Sequence, residues 1–250
     1  MTIGVEVHGH VALIEMQDPP HNFLNVVQVE AIADALEGFE RDAEVRAAVL
    51  AADGRSFCAG ANFGSSDRTG GSSEDLYAQA ARLCEASTPF IAAVQGPAIG
   101  GGLGLAMTAT MRVTCPEARF SANFVKLGIH QGFGLSVTLP ETIGPSRAAY
   151  VLLGGRRFNG EEAVQLGLAD ICVPAEQLRA RALEIASEIA SGAPLAIRAI
   201  NATLRGGLGD RVRAATKHEA EEQARLFATE DAREGARSVT ERREGNFAGR

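Results

Sequence analysis

The sequence predicts a mixed α/β fold, and three observations predict it. Short apolar runs alternate with segments whose apolar residues recur at helical spacing. Two glycine-bearing turns each follow an apolar run directly, and the part of the chain after about Pro174 reads as helix. With 250 residues, 46% of them hydrophobic, the chain can bury a large core.

In order along the chain, residues 3–7 and 11–16 read as a hairpin turning at His8-Gly9-His10. Val29, Ile32, Leu36 and Phe39 lie on one helical face. Residues 47–52 form an apolar strand leading into Ser56-Phe57-Cys58-Ala59-Gly60-Ala61-Asn62, and residues 64–73 are a polar, flexible loop. A helix is expected over 74–86, a strand over 90–94, a helix from Gly102 and a strand over 111–115. Helices are then expected over 175–191, 194–205 and 210–229, with Pro194 suited to a first helical turn.

Composition excludes several function classes. A net charge of −7 argues against nucleic acid, which rewards a concentrated basic surface. No apolar run approaches the roughly 18–20 residues a membrane span requires. MTIGVEVHGH has no signal-peptide pattern, so a soluble, cytoplasmic protein is expected. Cys58, Cys84, Cys115 and Cys172 are scattered, without the spacing of a metal site or a redox pair.

The most informative segment runs from Ile91 to Met107, where an apolar run and a Gly/Pro turn lead through Gly100-Gly101-Gly102 into a helix former. Glycine allows close backbone approach, and the first N–H groups of a helix lack partners inside it. Such groups suit a developing oxyanion. A tight strand-to-helix turn with no ligand is the alternative reading. The turn at Gly60 could supply a second N–H to the same oxygen. Cys58 within it is a nucleophile or a small packed residue, and no base partner is evident nearby.

The chain resembles the enoyl-CoA hydratase/isomerase (crotonase) family over nearly its whole length. The resemblance runs through RSFCAGAN, AAVQGPAIGGGLGLAM, ARFSANFVKLGIHQGFG, GGRRFNGEEAVQLGLADICVP and EDAREGARSVTERREGNF. It implies a ββα spiral core over 1–190 and a helical oligomerisation region over 191–250, giving a homotrimer or a dimer of trimers. It implies an acyl-CoA thioester as substrate, coenzyme A entering as part of that substrate, and no permanently bound cofactor or metal. The oxyanion donors map to Ala61 and Gly101, within a binding segment of Cys58, Ala59, Gly60, Asn62 and Gly100. His21 falls near the nucleotide, and Arg242 and Arg243 fall where relatives reach a neighbouring subunit's CoA. On composition alone, the tail from Glu230 to Glu241 reads equally as a solvated helix end.

The two glutamates that activate water in the family's hydratases map to Gly104 and Phe124, neither of which exchanges protons. A third catalytic position, an aspartate in some relatives, falls on Gly132. Asn123, His130 and Gln131 are left in the altered segment, Gln131 close to where a decarboxylase of the family carries a tyrosine. His130 is either an acid/base or orienting donor, or a loop histidine bound to backbone. Asp67, Glu74 and Asp75 could also reach the site. Three functions follow: an acyl-CoA enzyme with chemistry other than two-glutamate hydration, a non-catalytic acyl-CoA binder, or a hydratase with acid/base groups from unexpected positions.

Overall fold

The computed structural model describes residues 3–61 and 73–250. Asn62, Asp67 and the loop expected over 64–73 therefore fall outside the described residues, apart from the backbone of Ser73, which opens a helix.

Strands β1 (Ile3–His8) and β2 (Val11–Met16) form the expected hairpin, with Ile3 opposite Met16 and His8 opposite Val11. Helix α1 (Val26–Glu40) follows, its N-cap Asn25 accepting a hydrogen bond from Gln28 N–H and its Val29, Ile32 and Leu36 face buried. Strands β3 (Ala47–Ala52), β4 (Phe90–Val94) and β6 (Met111–Thr114), with helix α2 (Ser73–Glu85), match the expected elements to within one or two residues. With β8 (Ile171–Cys172) they complete a six-stranded sheet ordered β1-β2-β3-β4-β6-β8, parallel except for the first pair. β3 and β4 are buried at every residue, as expected of parallel strands covered on both faces.

The three-residue strands β5 (Pro97–Ile99) and β7 (Arg119–Ser121) pair in parallel as a second sheet. Single bridges from Cys58 to Ala98 and from Phe158 to Phe120 extend it on either side. A repeating unit emerges: a strand of the large sheet, a strand of the small sheet, then a helix. β3, Cys58 and α2 make one unit, and β4, β5 and α3 (Gly101–Met107) the next. β6 and β7 begin a third, continued by a 3₁₀ turn (Asn123–Leu127) and α4 (Leu135–Ile143). Each unit therefore leaves the small sheet at the same edge, which brings residues 59–61, 99–101 and 121–124 together.

Helices α5 (Pro145–Gly154) and α6 (Gly160–Leu166) precede β8; Asn159 and Glu162 form a capping box at the start of α6. Helix α7 (Leu178–Ala190) lies across the large sheet and buries Leu178 and Ile185 against it. Both residues are therefore covered within their own chain. α8 (Pro194–Leu204) is anchored by Arg198, whose guanidinium donates to the Phe39 and Glu40 carbonyls in the last turn of α1 and to the Asp42 carbonyl just beyond it. α9 (Leu208–Phe227) packs on α2 and α4, and α10 (Glu230–Glu241) packs on the 3₁₀ turn. The tail is thus more than a solvated helix end, since Ala232, Gly235 and Ser238 are buried beneath it.

Candidate functional site

The edge at which the repeats leave the small sheet opens into a cavity of about 600 Å³. Its floor is backbone from Ala59 to Ala61 and from Ile99 to Gly101; Asn123, Phe124 and Leu127 form one wall. Val239 and Thr240 of α10 close the far side.

Two backbone features shape the floor. Gly60 and Gly100 have φ of +83° and +56°, conformations that L side chains rarely adopt. Gly100 N–H is committed to Ser121 O at 2.8 Å and its carbonyl accepts from Gly104 N at 3.1 Å, which fixes the first turn of α3. Gly101 N–H, the next along, has no acceptor among the described residues, nor has Ala61 N–H. Both residues line the cavity. The lower turn is held by Ala59 N–H to His21 O at 3.0 Å and by Leu24 N–H to Gly60 O at 3.0 Å. Asn22, wholly buried, ties the same segment to Asp53 and Ser56 carbonyls.

Neither residue that the resemblance maps to a hydratase glutamate, Gly104 or Phe124, is a carboxylate, and position 104 has no room for one. A Cβ on Gly104 would stand 2.7 Å from Phe133 Cβ and 2.9 Å from its Cδ1. Phe133, 1% exposed and at φ +60°, occupies the space a side chain at 104 would need. The Phe124 ring faces the floor, its Cζ 3.7 Å from where a Cβ on Gly100 would stand, and Asn123 Oδ1 is 3.3 Å from the same point. Gly132, the third position, abuts Tyr77.

Of the residues expected at the site, Ala59, Gly60, Ala61, Gly100, Gly101 and His21 line the cavity. His130 does not: its Nδ1 is 2.8 Å from Gln131 O, its ring meets the edge of His218 on α9, and its carbonyl accepts from Gln223. The cavity lining holds the backbone neighbours of Cys58 but not its side chain, which is fully buried with burial pushing the thiol up to about 12. Such a thiol is not a nucleophile. Arg243 is bound by Glu234 and Glu241 of its own chain, and Arg242 caps α10; neither lines this cavity. Glu74 and Asp75 sit in the first turn of α2, also outside the lining.

Sequence reasoning missed the cations. Arg55, Arg119 and Arg157 join His21 around the cavity, and no aspartate or glutamate lies among its described lining residues. Arg55 Nη2 is 3.2 Å from His21 Nε2, and Arg119 is folded back onto Pro116 and Ala118 carbonyls. Arg157 has no hydrogen-bond or ion-pair partner among the described residues. The doubled arginine of GGRRFNG was the available signal: Arg156 is taken by Glu162 and stacks on Phe158, leaving Arg157 to the cavity.

Comparison with known proteins bears on this geometry. The profile of the Enoyl-CoA hydratase/isomerase family matches residues 6–250. A Bacillus subtilis protein named "Probable enoyl-CoA hydratase" is 30% identical over 254 residues, covering 99% of this chain and 98% of the relative. A crotonyl-CoA hydratase of Syntrophomonas wolfei is 33% identical over 232 residues, covering 90% of this chain and 89% of the relative. The crystal structure of an enoyl-CoA hydratase/isomerase from Pseudoalteromonas atlantica superposes with a TM-score of 0.89 at 29% identity, covering 99% of this chain and all of that one. The repeating strand-strand-helix units are those of the crotonase fold, and the chain belongs to the enoyl-CoA hydratase/isomerase family.

Proposed function

We propose that this protein binds an acyl-CoA thioester with the carbonyl oxygen at the N–H groups of Ala61 and Gly101, and stabilises a thioester enolate there by chemistry other than two-glutamate hydration. One observation carries the reading. Two backbone donors without acceptors among the described residues share a cavity whose described lining holds no carboxylate. An oxyanion held by two preorganised donors gains most as charge develops, and losing one such donor typically costs about 10²–10³ in rate.

Hydration needs a group to take a proton from water and another to deliver one to the α-carbon. Gly104 and Phe124 supply neither, and the Phe124 ring makes that wall apolar. Isomerisation, decarboxylation and thioester cleavage all pass through an oxyanion of the kind these donors hold. Decarboxylation differs from the other two in needing no protein base, because the breaking C–C bond delivers its electron pair to the enolate. The same carboxylate-free lining favours a second reading, an acyl-CoA-binding protein without turnover.

The test is loss of enoyl absorbance when pure protein meets crotonyl-CoA. Turnover far below the roughly 10 per second of an ordinary enzyme is expected; turnover at or above that value overturns the reading. Consumption of none of the thioesters that bind selects the second reading. We also place assembly as a homotrimer or dimer of trimers on the apolar face of α8, where Leu195, Ile200 and Leu204 are 79%, 60% and 78% exposed. The protein is proposed to work in the cytoplasm; no described helix is long and apolar enough to cross a membrane.

A further inference from the structure

Of the three arginines around the cavity, Arg119 lies on β7 and is folded back onto Pro116 and Ala118 carbonyls, while Arg55 and Arg157 fall at opposite sides of the small sheet. The sheet runs from the Cys58 bridge through β5 and β7 to the Phe158 bridge. Adjacent strands lie about 4.8 Å apart, so its outer members are about 14 Å apart. Arg55 and His21 belong to the Cys58 side, where His21 O accepts from Ala59 N–H and the two side chains meet. Arg157 belongs to the other side. The paired hydrogen bonds between Phe120 and Phe158 put Arg157 opposite Ser121, the residue whose carbonyl holds Gly100 N–H. Gly101, Asn123 and Phe124 follow β5 and β7 and so lie between these two sides.

A thioester seated on Ala61 and Gly101 extends in two directions from its carbonyl. The carrier's phosphates provide anions in one direction, and an uncharged acyl chain provides none in the other. Arg157 nevertheless lines that cavity with no acid partner among the described residues. We infer that Arg157 recognises a carboxylate carried by the acyl group, so that the substrate class is an acyl-CoA with an anionic acyl portion. This rests on the thioester placement proposed above. Guanidinium presents its donors as a planar fork that matches a carboxylate with two parallel hydrogen bonds, a geometry that lysine cannot reproduce. Asn123, which lines the same cavity, offers an amide for a remaining lone pair.

The experiment compares succinyl-CoA with butyryl-CoA, which differ in a terminal carboxylate against a methyl group, with free CoA as the carrier control. Affinities are measured by calorimetry for the wild type and for Arg157→Gln and Arg157→Lys. The wild type should prefer succinyl-CoA by roughly tenfold or more, the range of a charge-assisted hydrogen bond. Arg157→Gln should abolish that preference, and Arg157→Lys should restore only part of it. Butyryl-CoA and free CoA should bind all three proteins alike. Equal wild-type affinity for the two thioesters overturns the inference, as does a preference that survives Arg157→Gln. A parallel loss of free CoA in that variant also overturns it, because Arg157 would then serve the carrier's phosphates. Failure of the underlying thioester placement looks different: butyryl-CoA would bind the wild type no better than free CoA, whatever stands at position 157.

Discussion

Restoring a side chain at position 104 should destabilise the protein, and should do so because of Phe133. In Gly104→Ala the new Cβ would stand 2.7, 2.9 and 3.0 Å from Phe133 Cβ, Cδ1 and Cγ. Carbon atoms at optimal separation sit about 3.5–4.0 Å apart, so a shift of about 1 Å is needed. The closest obstacle is a Cβ fixed to backbone, on a residue that is 1% exposed with φ +60° and has Gly132 and Gly134 on either side. Swinging the ring cannot relieve it. Overpacking of this kind costs about 1–3 kcal/mol, and replacing a helical glycine by alanine returns about 1 kcal/mol. A net loss of up to about 2 kcal/mol is expected, read as a lower urea midpoint at unchanged slope. Phe133→Gly removes both the Cβ and the ring and suits the positive φ. In that background Gly104→Ala should be neutral or stabilising by up to about 1 kcal/mol. An equal cost for Gly104→Ala in both backgrounds would refute the reasoning. It would also mean that a glutamate at 104 is excluded by something other than Phe133.

Two further outcomes are expected. Glu219 on α9 is fully buried, and its carboxylate accepts from Gly134 N–H at 2.9 Å and Ser136 N–H at 3.0 Å at the start of α4; Glu219→Gln exchanges one acceptor for a donor facing those N–H groups, so a loss of about 1–3 kcal/mol is expected, and an unchanged urea midpoint would show that the contact is dispensable. Light scattering at micromolar concentration should report a trimer or a multiple of three, with Leu195→Glu and Leu204→Glu shifting it toward monomer; a wild-type monomer would remove α8 as an assembly face.

Much of the fold is legible in the sequence because long periodic segments report themselves. The uniformly apolar β3 and β4, and the Val29, Ile32, Leu36 face of α1, need no tertiary information to be placed. The three-residue strands β5 and β7 are too short to carry a period, and α4 to α6 are short helices interrupted by Gly144, Gly155 and Gly167. The buried face of α10 was hidden by its small residues, Ala232, Gly235 and Ser238, which carry no hydrophobic signal.

At the site, the glycine turns were legible because backbone conformation is written into glycine itself. The cationic lining was not, because it depends on which strands of the small sheet lie side by side. His130 shows the converse. Its side-chain chemistry nominates it, but the chain path sets its ring against His218 and it does not line the cavity. Gly104 and Phe133 are far enough apart in sequence that their mutual exclusion appears only in three dimensions.

The central claim is that Ala61 and Gly101 polarise a thioester carbonyl, and the carbonyl stretch of bound [1-¹³C]butyryl-CoA measures that directly. Two hydrogen bonds to the oxygen weaken the C=O bond, so the isotope-edited infrared band should move to lower frequency on binding to the wild type. Gly101→Pro removes one donor at the first helical position, with the end of the Leu24 side chain, 2.5 Å from the new Cβ, having to move aside, and should return the band most of the way toward its free value. A butyryl-CoA that binds the wild type with its carbonyl band at the solution frequency would contradict the account.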